Sequence, residues 1–280
     1  MILRFLAAAT LLLTLPACAM NIGDDQVFMP PSLDSARTGM AFEGEETLAT
    51  EFDATVTHEI VEFGNTPIAV SRVSAPGSAS APLIVSCPGN AADRPRTGTD
   101  YASKILPFGE AVIFDYPGYG DSGGTPTATN ISRIGKPFMD WAAAQAGSRP
   151  LILWGHSLGG FVCAEFASRS DAVDAVILET TARNVGEVGR AWKPWWAPVR
   201  LRPTDDLAAY DTADALADFS GPVLILGAGR DGVLPVELHR SLAAALPRAT
   251  YLELEGATHY SAGFDPRTVA AITELVDSLP

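Results

Sequence analysis

Basic residues are scarce in this 280-residue chain: 19 Lys and Arg stand against 33 Asp and Glu, for a formal net charge of -14. Such a chain gains nothing from phosphate contacts, which excludes nucleic acid as a partner. An anionic bilayer repels it as well, so any membrane association needs an apolar anchor. Cysteine is scarcer still, with three in the chain. Cys87 and Cys163 lie in strongly apolar surroundings, and two cysteines make no disulfide framework, so both are read as buried thiols. Beyond the N-terminus no apolar run is long enough to span a membrane. Charged residues make up only 19% and apolar ones 47%. That balance excludes disorder for most of the chain and supports a single sizeable core. There are no internal repeats.

What is present begins at the N-terminus. Arg4 precedes the apolar run Phe5 to Leu15, which is too short to cross a bilayer comfortably and reads as an export signal. Leu15-Pro16-Ala17-Cys18 resembles a bacterial lipobox, in which the cysteine is lipidated and becomes the new N-terminus. Ala17-Cys18-Ala19 equally fits ordinary cleavage, which would release a soluble protein. The expectation is a signal peptide over 1–18 and an exported envelope lipoprotein anchored through Cys18, with soluble secretion as the alternative. Residues 19–50 show neither a period of 2 nor one of 3.6, and they carry Pro30-Pro31 and several acids. They read as a flexible spacer, with a mean reach of roughly 30 Å.

From residue 51 a single folded domain is expected to run to the end of the chain. Residues 55–63 and 66–73 suit an antiparallel pair turning near Gly64-Asn65. Short continuous apolar runs follow at 83–87, 111–116, 151–154, 175–178, 223–226 and 250–254. Strands apolar at nearly every position are covered on both faces, as in a parallel sheet. Helical patterns separate them at 131–146, 158–168, 235–246 and 266–279. The expected fold is α/β: a doubly wound, mostly parallel sheet. Residues 183–207 are too long for a simple turn and hold Trp192, Trp195 and Trp196, so they read as a small cap. These rings either pack the cap down or line an acyl pocket.

The pattern G-x-S-x-G occurs twice, at Gly155-His156-Ser157-Leu158-Gly159 and at Gly120-Asp121-Ser122-Gly123-Gly124. Alone it is weak, since on the order of one chain in ten this size carries it by chance. The second copy even reads GDSGG, the nucleophile signature of trypsin-like proteases. Context separates the two. Ser157 follows the apolar run Leu151 to Trp154 and precedes an amphipathic run with Phe161, Val162 and Phe166, the strand, sharp turn and helix of a nucleophile elbow. Ser122 sits in a loop rich in glycine and proline where no helix starts, and the alternating elements leave no room for two β-barrels.

A serine nucleophile needs a base, and the base an orienting carboxylate. In the elbow-bearing fold these follow in the order Ser, acid, His. Of the two histidines after Ser157, His239 falls inside a helical pattern and reads as a surface helix residue. His259 falls in a loop after the last strand and reads as the base. Asp231, in the loop after the strand 223–226, reads as the acid, with Glu179 as the alternative. Asp115 precedes Ser157 and reads as structural. Two backbone N–H groups must hold the developing oxyanion. Leu158 supplies one and Asn90, in the loop Cys87-Pro88-Gly89-Asn90-Ala91, the other, because Pro88 has no N–H to give.

Together these segments resemble the α/β-hydrolase superfamily from about residue 54 to the end. The stretch Phe114-Asp115-Tyr116-Pro117-Gly118-Tyr119-Gly120-Asp121-Ser122, with Gly89-Asn90-Ala91, is similar to a small-cap branch related to membrane-associated depalmitoylases and to some serine peptidases. Pro88 stands where that branch has histidine, and Gly227-Ala228 where it has His-Gly. The resemblance implies a serine hydrolase that cleaves an ester or thioester through an acyl-enzyme, with no metal or organic cofactor. Its substrate would be a small molecule or an acylated one. A serine peptidase on the same triad, or an idle ligand-binding lipoprotein, are the alternatives.

Overall fold

The computed structural model describes residues 18–31, 40–194, 196, 197 and 199–280. Its strands are β1 (Cys18–Ile22), β2 (Thr55–Phe63), β3 (Thr66–Ser74), β4 (Leu83–Cys87), β5 (Glu110–Phe114), β6 (Leu151–His156), β7 (Ala175–Glu179), β8 (Val199–Pro203), β9 (Val223–Ala228) and β10 (Thr250–Leu254). Its helices are α1 (Asp24–Val27), α2 (Glu45–Phe52), α3 (Arg94–Ile105), α4 (Ala128–Ala146), α5 (Leu158–Ala167), α6 (Val185–Trp192), α7 (Asp205–Ala208), α8 (Thr212–Ala215), α9 (Val236–Ala245) and α10 (Pro266–Asp277). Among the described residues the main sheet has eight strands in the order β10-β9-β7-β6-β4-β5-β3-β2. The pairs from β10 to β5 are parallel, and β3 joins β5 and β2 antiparallel. This is the doubly wound sheet expected from the apolar runs.

The runs are continuous because alternate side chains feed two cores. Leu151 and Leu153 of β6 enter the core built around Phe114, Phe138 and Phe166, while Ile152 and Trp154 enter the one built around Ile105, Phe108 and Ile177. Each such buried side chain stabilises the fold by about 1.5–3 kcal/mol relative to exposure. With both faces covered, only the strand ends reach solvent, and the carboxyl ends of neighbouring parallel strands share one edge.

Two expectations need correction. The segment 19–50 is not a plain flexible spacer. β1 pairs in parallel with β8, from Cys18 opposite Val199 to Ile22 opposite Pro203. Phe28, Phe42 and Leu48 are buried. These apolar residues are too far apart to form a period, yet each fills a gap in a core. The second correction concerns Cys87 and Cys163, which form a disulfide with their Cα atoms 5.9 Å apart. Both lie in apolar surroundings as expected, but β4 and α5 bring them together across 76 residues of chain. Residues 1–17, where the signal peptide is expected, lie outside the described residues. No helix among the described residues is long and apolar enough to cross a membrane.

The region expected as the cap contains α6, β8 and α7, inserted between β7 and β9. The N-terminal β1 completes its small sheet.

Candidate active site

Ser157 sits between β6 and α5 with φ 54° and ψ -117°, a left-handed backbone that costs a non-glycine residue on the order of 1–3 kcal/mol. Its surroundings hold it there. Its N–H donates to the Glu179 carbonyl at 2.9 Å, and its carbonyl accepts from Thr181 Oγ1 at 2.7 Å. The flanking glycines are required by space as well as by turn. A Cβ at Gly155 would lie 2.4 Å from the Gly159 carbonyl oxygen, and one at Gly159 would lie 1.8 Å from that of Cys87. Strand, helix and the end of β4 therefore close on each other only with glycine at both positions.

Asp231 and His259 meet. His259 Nδ1 donates to Asp231 Oδ2 at 2.7 Å, and Asp231 Oδ1 accepts from the N–H groups of Val233 and Leu234, both at 2.8 Å. Burial pushes the Asp231 carboxyl up, but the His259 hydrogen bond and those from Leu234 and Val233 outweigh it and hold it below the usual carboxylate range. His259 is buried, and its ring lies 5.0 Å from that of His156, the residue before Ser157. Among the described residues no hydrogen bond joins Ser157 Oγ to His259, a contact that often tightens only on substrate binding.

Glu179, the alternative acid, is committed elsewhere. Its Oε2 accepts from Lys104 Nζ at 2.6 Å and Trp154 Nε1 at 2.9 Å, and its Oε1 from the Gly263 N–H at 2.8 Å. Burial raises this carboxyl, and Lys104 beside it reverses the shift. His239 is not a surface residue: it is fully buried. Its Nδ1 accepts from the Ala228 N–H at 3.3 Å, and its Nε2 faces Asp231 Oδ2 at 3.5 Å. The helical pattern around it was visible, but the inward face of α9 was not.

Asn90 follows β4, which runs beside β6, so neighbouring strands carry Asn90 and Leu158. The Asn90 side chain ropes the loop to the N-terminal segment. Its Nδ2 donates to the Val27 carbonyl at 2.6 Å, and its Oδ1 accepts from Met29 N–H at 3.0 Å and Tyr119 O–H at 2.9 Å. A cavity of about 270 Å³ opens beside this loop, lined among others by Gly89, Asn90, Tyr101, His156, Tyr260 and Phe264. Trp192 and Trp196 are exposed and do not line it. Trp192 instead donates its indole N–H to the Val233 carbonyl at 2.7 Å, tying the cap to the loop of Asp231. Trp195 lies outside the described residues, as does the side chain of Cys18.

Ser122 is spent on structure. Its hydroxyl donates to the Asp115 carbonyl at 2.8 Å and accepts from Ala69 N–H at 2.9 Å. The Asp115 carboxylate accepts from the N–H groups of Arg94 and Asp121, at 2.6 and 3.0 Å.

A mostly parallel sheet with a strained serine after its central strand, and a bonded Asp–His pair at the same edge, is the arrangement of the α/β-hydrolase fold. The family model described as the alpha/beta hydrolase fold matches residues 83–203, and the chain has the α/β-hydrolase fold. An uncharacterized protein of Mycobacterium tuberculosis is 29% identical over 184 residues, which cover 64% of this chain and 63% of the relative. The lysophosphatidylserine lipase ABHD12 of Rattus norvegicus is 32% identical over 177 residues, covering 58% of this chain and 44% of the relative. The match thus spans under two thirds of these relatives' length. Among solved structures, the Pyrococcus furiosus esterase Pf2001 superposes with a TM-score of 0.66 at 13% identity, covering 90% of this chain and 98% of that one, a likeness of fold.

Proposed function

We propose that this chain is a serine hydrolase that cleaves a carboxylic ester or thioester through an acyl-enzyme. The observation that carries the reading is the 2.7 Å bond from His259 Nδ1 to Asp231, at the sheet edge where Ser157 holds a left-handed backbone. His259 Nε2 takes the Ser157 hydroxyl proton as Oγ attacks the acyl carbon, and Asp231 steadies the imidazolium that forms. The N–H groups of Leu158 and Asn90 hold the tetrahedral oxyanion. Collapse expels the alcohol or thiol, which leaves with the proton from His259. Water then repeats the sequence, releasing the acid and restoring Ser157. Esterase and lipase relatives favour an acyl ester over a peptide bond, and the lysophosphatidylserine lipases make a lysophospholipid the first substrate to try.

The reading extends to place. We propose export and anchoring through a lipidated Cys18. The Cys87–Cys163 disulfide supports export, because such bonds persist in oxidising compartments. Since β1 starts at Cys18 and pairs with β8, the anchor would hold the cap close against the bilayer. The test has two parts. A fluorophosphonate probe should label the wild type at Ser157, and a panel of p-nitrophenyl esters, acyl thioesters, lysophospholipids and peptides should show turnover on acyl substrates. Mass spectrometry of the mature N-terminus should find an acylated Cys18, whereas an unmodified start beyond it sinks the anchor.

A further inference from the structure

The residue before Ser157 takes no part in the proposed chemistry, yet it sits at the centre of a closed line of hydrogen bonds. Gly89 N–H donates to Tyr101 Oη at 2.9 Å. Tyr101 Oη lies 3.0 Å from His156 Nδ1, and His156 Nε2 lies 3.0 Å from the carbonyl oxygen of His259. Tyr101, His156 and His259 are all buried. Thr180 Oγ1 donates to the same His259 carbonyl at 3.2 Å.

The protons in this line can be assigned. A carbonyl oxygen only accepts, so His156 Nε2 must carry a hydrogen to bond His259. A neutral ring then leaves Nδ1 as an acceptor. Tyr101 has one hydroxyl proton, which goes to Nδ1, and its lone pair receives the Gly89 N–H. Every donor has an acceptor, and the line runs in one direction from Gly89 to His259. Burial pushes the His156 pKa down to about 4 and the Tyr101 hydroxyl far up, so both stay in the required protonation state near neutrality.

The ends of the line are what give it meaning. Gly89 precedes Asn90 in the proposed oxyanion loop, and His259 is the proposed base. We propose that Tyr101 and His156 are positioning residues that fix the backbone of the oxyanion loop and the backbone of the base relative to each other, across the stem of the nucleophile turn. This rests on the Ser157–His259–Asp231 reading. The line is one element with two ends: breaking it at either residue frees both loops from the same constraint.

The experiment compares Tyr101→Phe, His156→Leu, His156→Gln and the double variant Tyr101→Phe/His156→Leu with the wild type. The readouts are the rate of fluorophosphonate labelling and the steady-state hydrolysis of p-nitrophenyl butyrate. Far-ultraviolet circular dichroism and thermal melting establish that each variant is folded. A misplacement of about 1 Å costs on the order of 10²-fold in rate. Tyr101→Phe and His156→Leu should each lose roughly that in kcat and labelling rate, with KM little changed. His156→Gln, which keeps a donor toward His259, should recover part of the loss. The double variant should be no worse than His156→Leu, because two breaks in one line do not add. Folded single variants within about twofold of wild type, or losses that multiply in the double variant, overturn the proposal. Labelling that persists in Ser157→Ala overturns the nucleophile assignment itself, and the positioning role with it.

Discussion

Ser157 and Ser122 sit in the same five-residue pattern, and the fold treats them in opposite ways. Ser157 ends a buried strand and starts a helix; its backbone is strained, and its Oγ enters no hydrogen bond among the described residues. Ser122 lies in a loop folded against β3, with its one proton given to Asp115 and its lone pair to Ala69 N–H. In the first loop the glycines clear room for strand, helix and β4 to converge. In the second, Gly120 has φ 47°, and a Cβ there would lie 2.2 Å from the Asp115 carboxylate. The difference teaches that one motif can hold a serine whose hydroxyl is spent on structure and another whose hydroxyl is left unspent.

The largest effect that would sharpen this contrast is complete. Ser157→Ala should reduce labelling and turnover to background. Ser122→Ala should stay within a few-fold of wild-type activity while losing about 1–3 kcal/mol of stability, because it leaves Ala69 N–H and the Asp115 carbonyl unpaired. A folded but inactive Ser122→Ala beside an active Ser157→Ala would break the comparison outright.

Next in size is the acid. Asp231→Asn should lower kcat by about 10⁴ with little change in melting temperature. Glu179→Gln should do the reverse. It strips a buried charge from Lys104, a loss of about 3–5 kcal/mol, so a melting-temperature drop should dominate. Near-normal turnover in Asp231→Asn would return Glu179 to contention.

Smaller still is the response to acid, which acts with opposite sign on the two loops. His156, the residue before Ser157, and His239, whose Nε2 faces Asp231, are pushed by burial to about 4 from a usual value of about 6.5. Between those values the unfolded chain binds protons that the native one refuses, so their contribution is present above pH ~6.5 and lost as pH falls through ~4. Asp115, in the Ser122 loop, is raised by burial to about 6. There the native state takes up its proton first, so this site gains stability as pH falls through ~6. His239→Asn should therefore flatten the acid-side fall of melting temperature, and Asp115→Asn should steepen it. Parallel curves for all three proteins would contradict these assignments.

Much of this was legible in the chain. The strands announced themselves because parallel strands buried on both faces must be apolar throughout, and Ser157, Asp231 and His259 follow strands in the order the fold demands. α3 was missed: its sequence, Arg94-Pro95-Arg96-Thr97-Gly98, is polar and holds both helix breakers, although Asp93 caps it by accepting from Arg96 N–H at 3.0 Å. Pro95 falls in its first turn, where a missing N–H costs nothing. Phe28, Phe42 and Leu48 could not reveal themselves, since an isolated anchor has no period. Nor could His239, whose burial depends on which face of α9 turns inward, or the pairing of Cys87 with Cys163, which joins elements far apart in sequence.

That pairing reaches further than stability. Cys87 is the last residue before Pro88-Gly89-Asn90, and Cys163 lies within the helix that Ser157 precedes. The bond therefore joins the two strand-to-helix crossings that frame the proposed oxyanion hole. A batch made in a reducing cytosol and a batch made in an oxidising compartment would be two different reagents of one sequence. Thiol titration of the denatured protein should tell them apart, and a rate constant measured on one should not be assigned to the other.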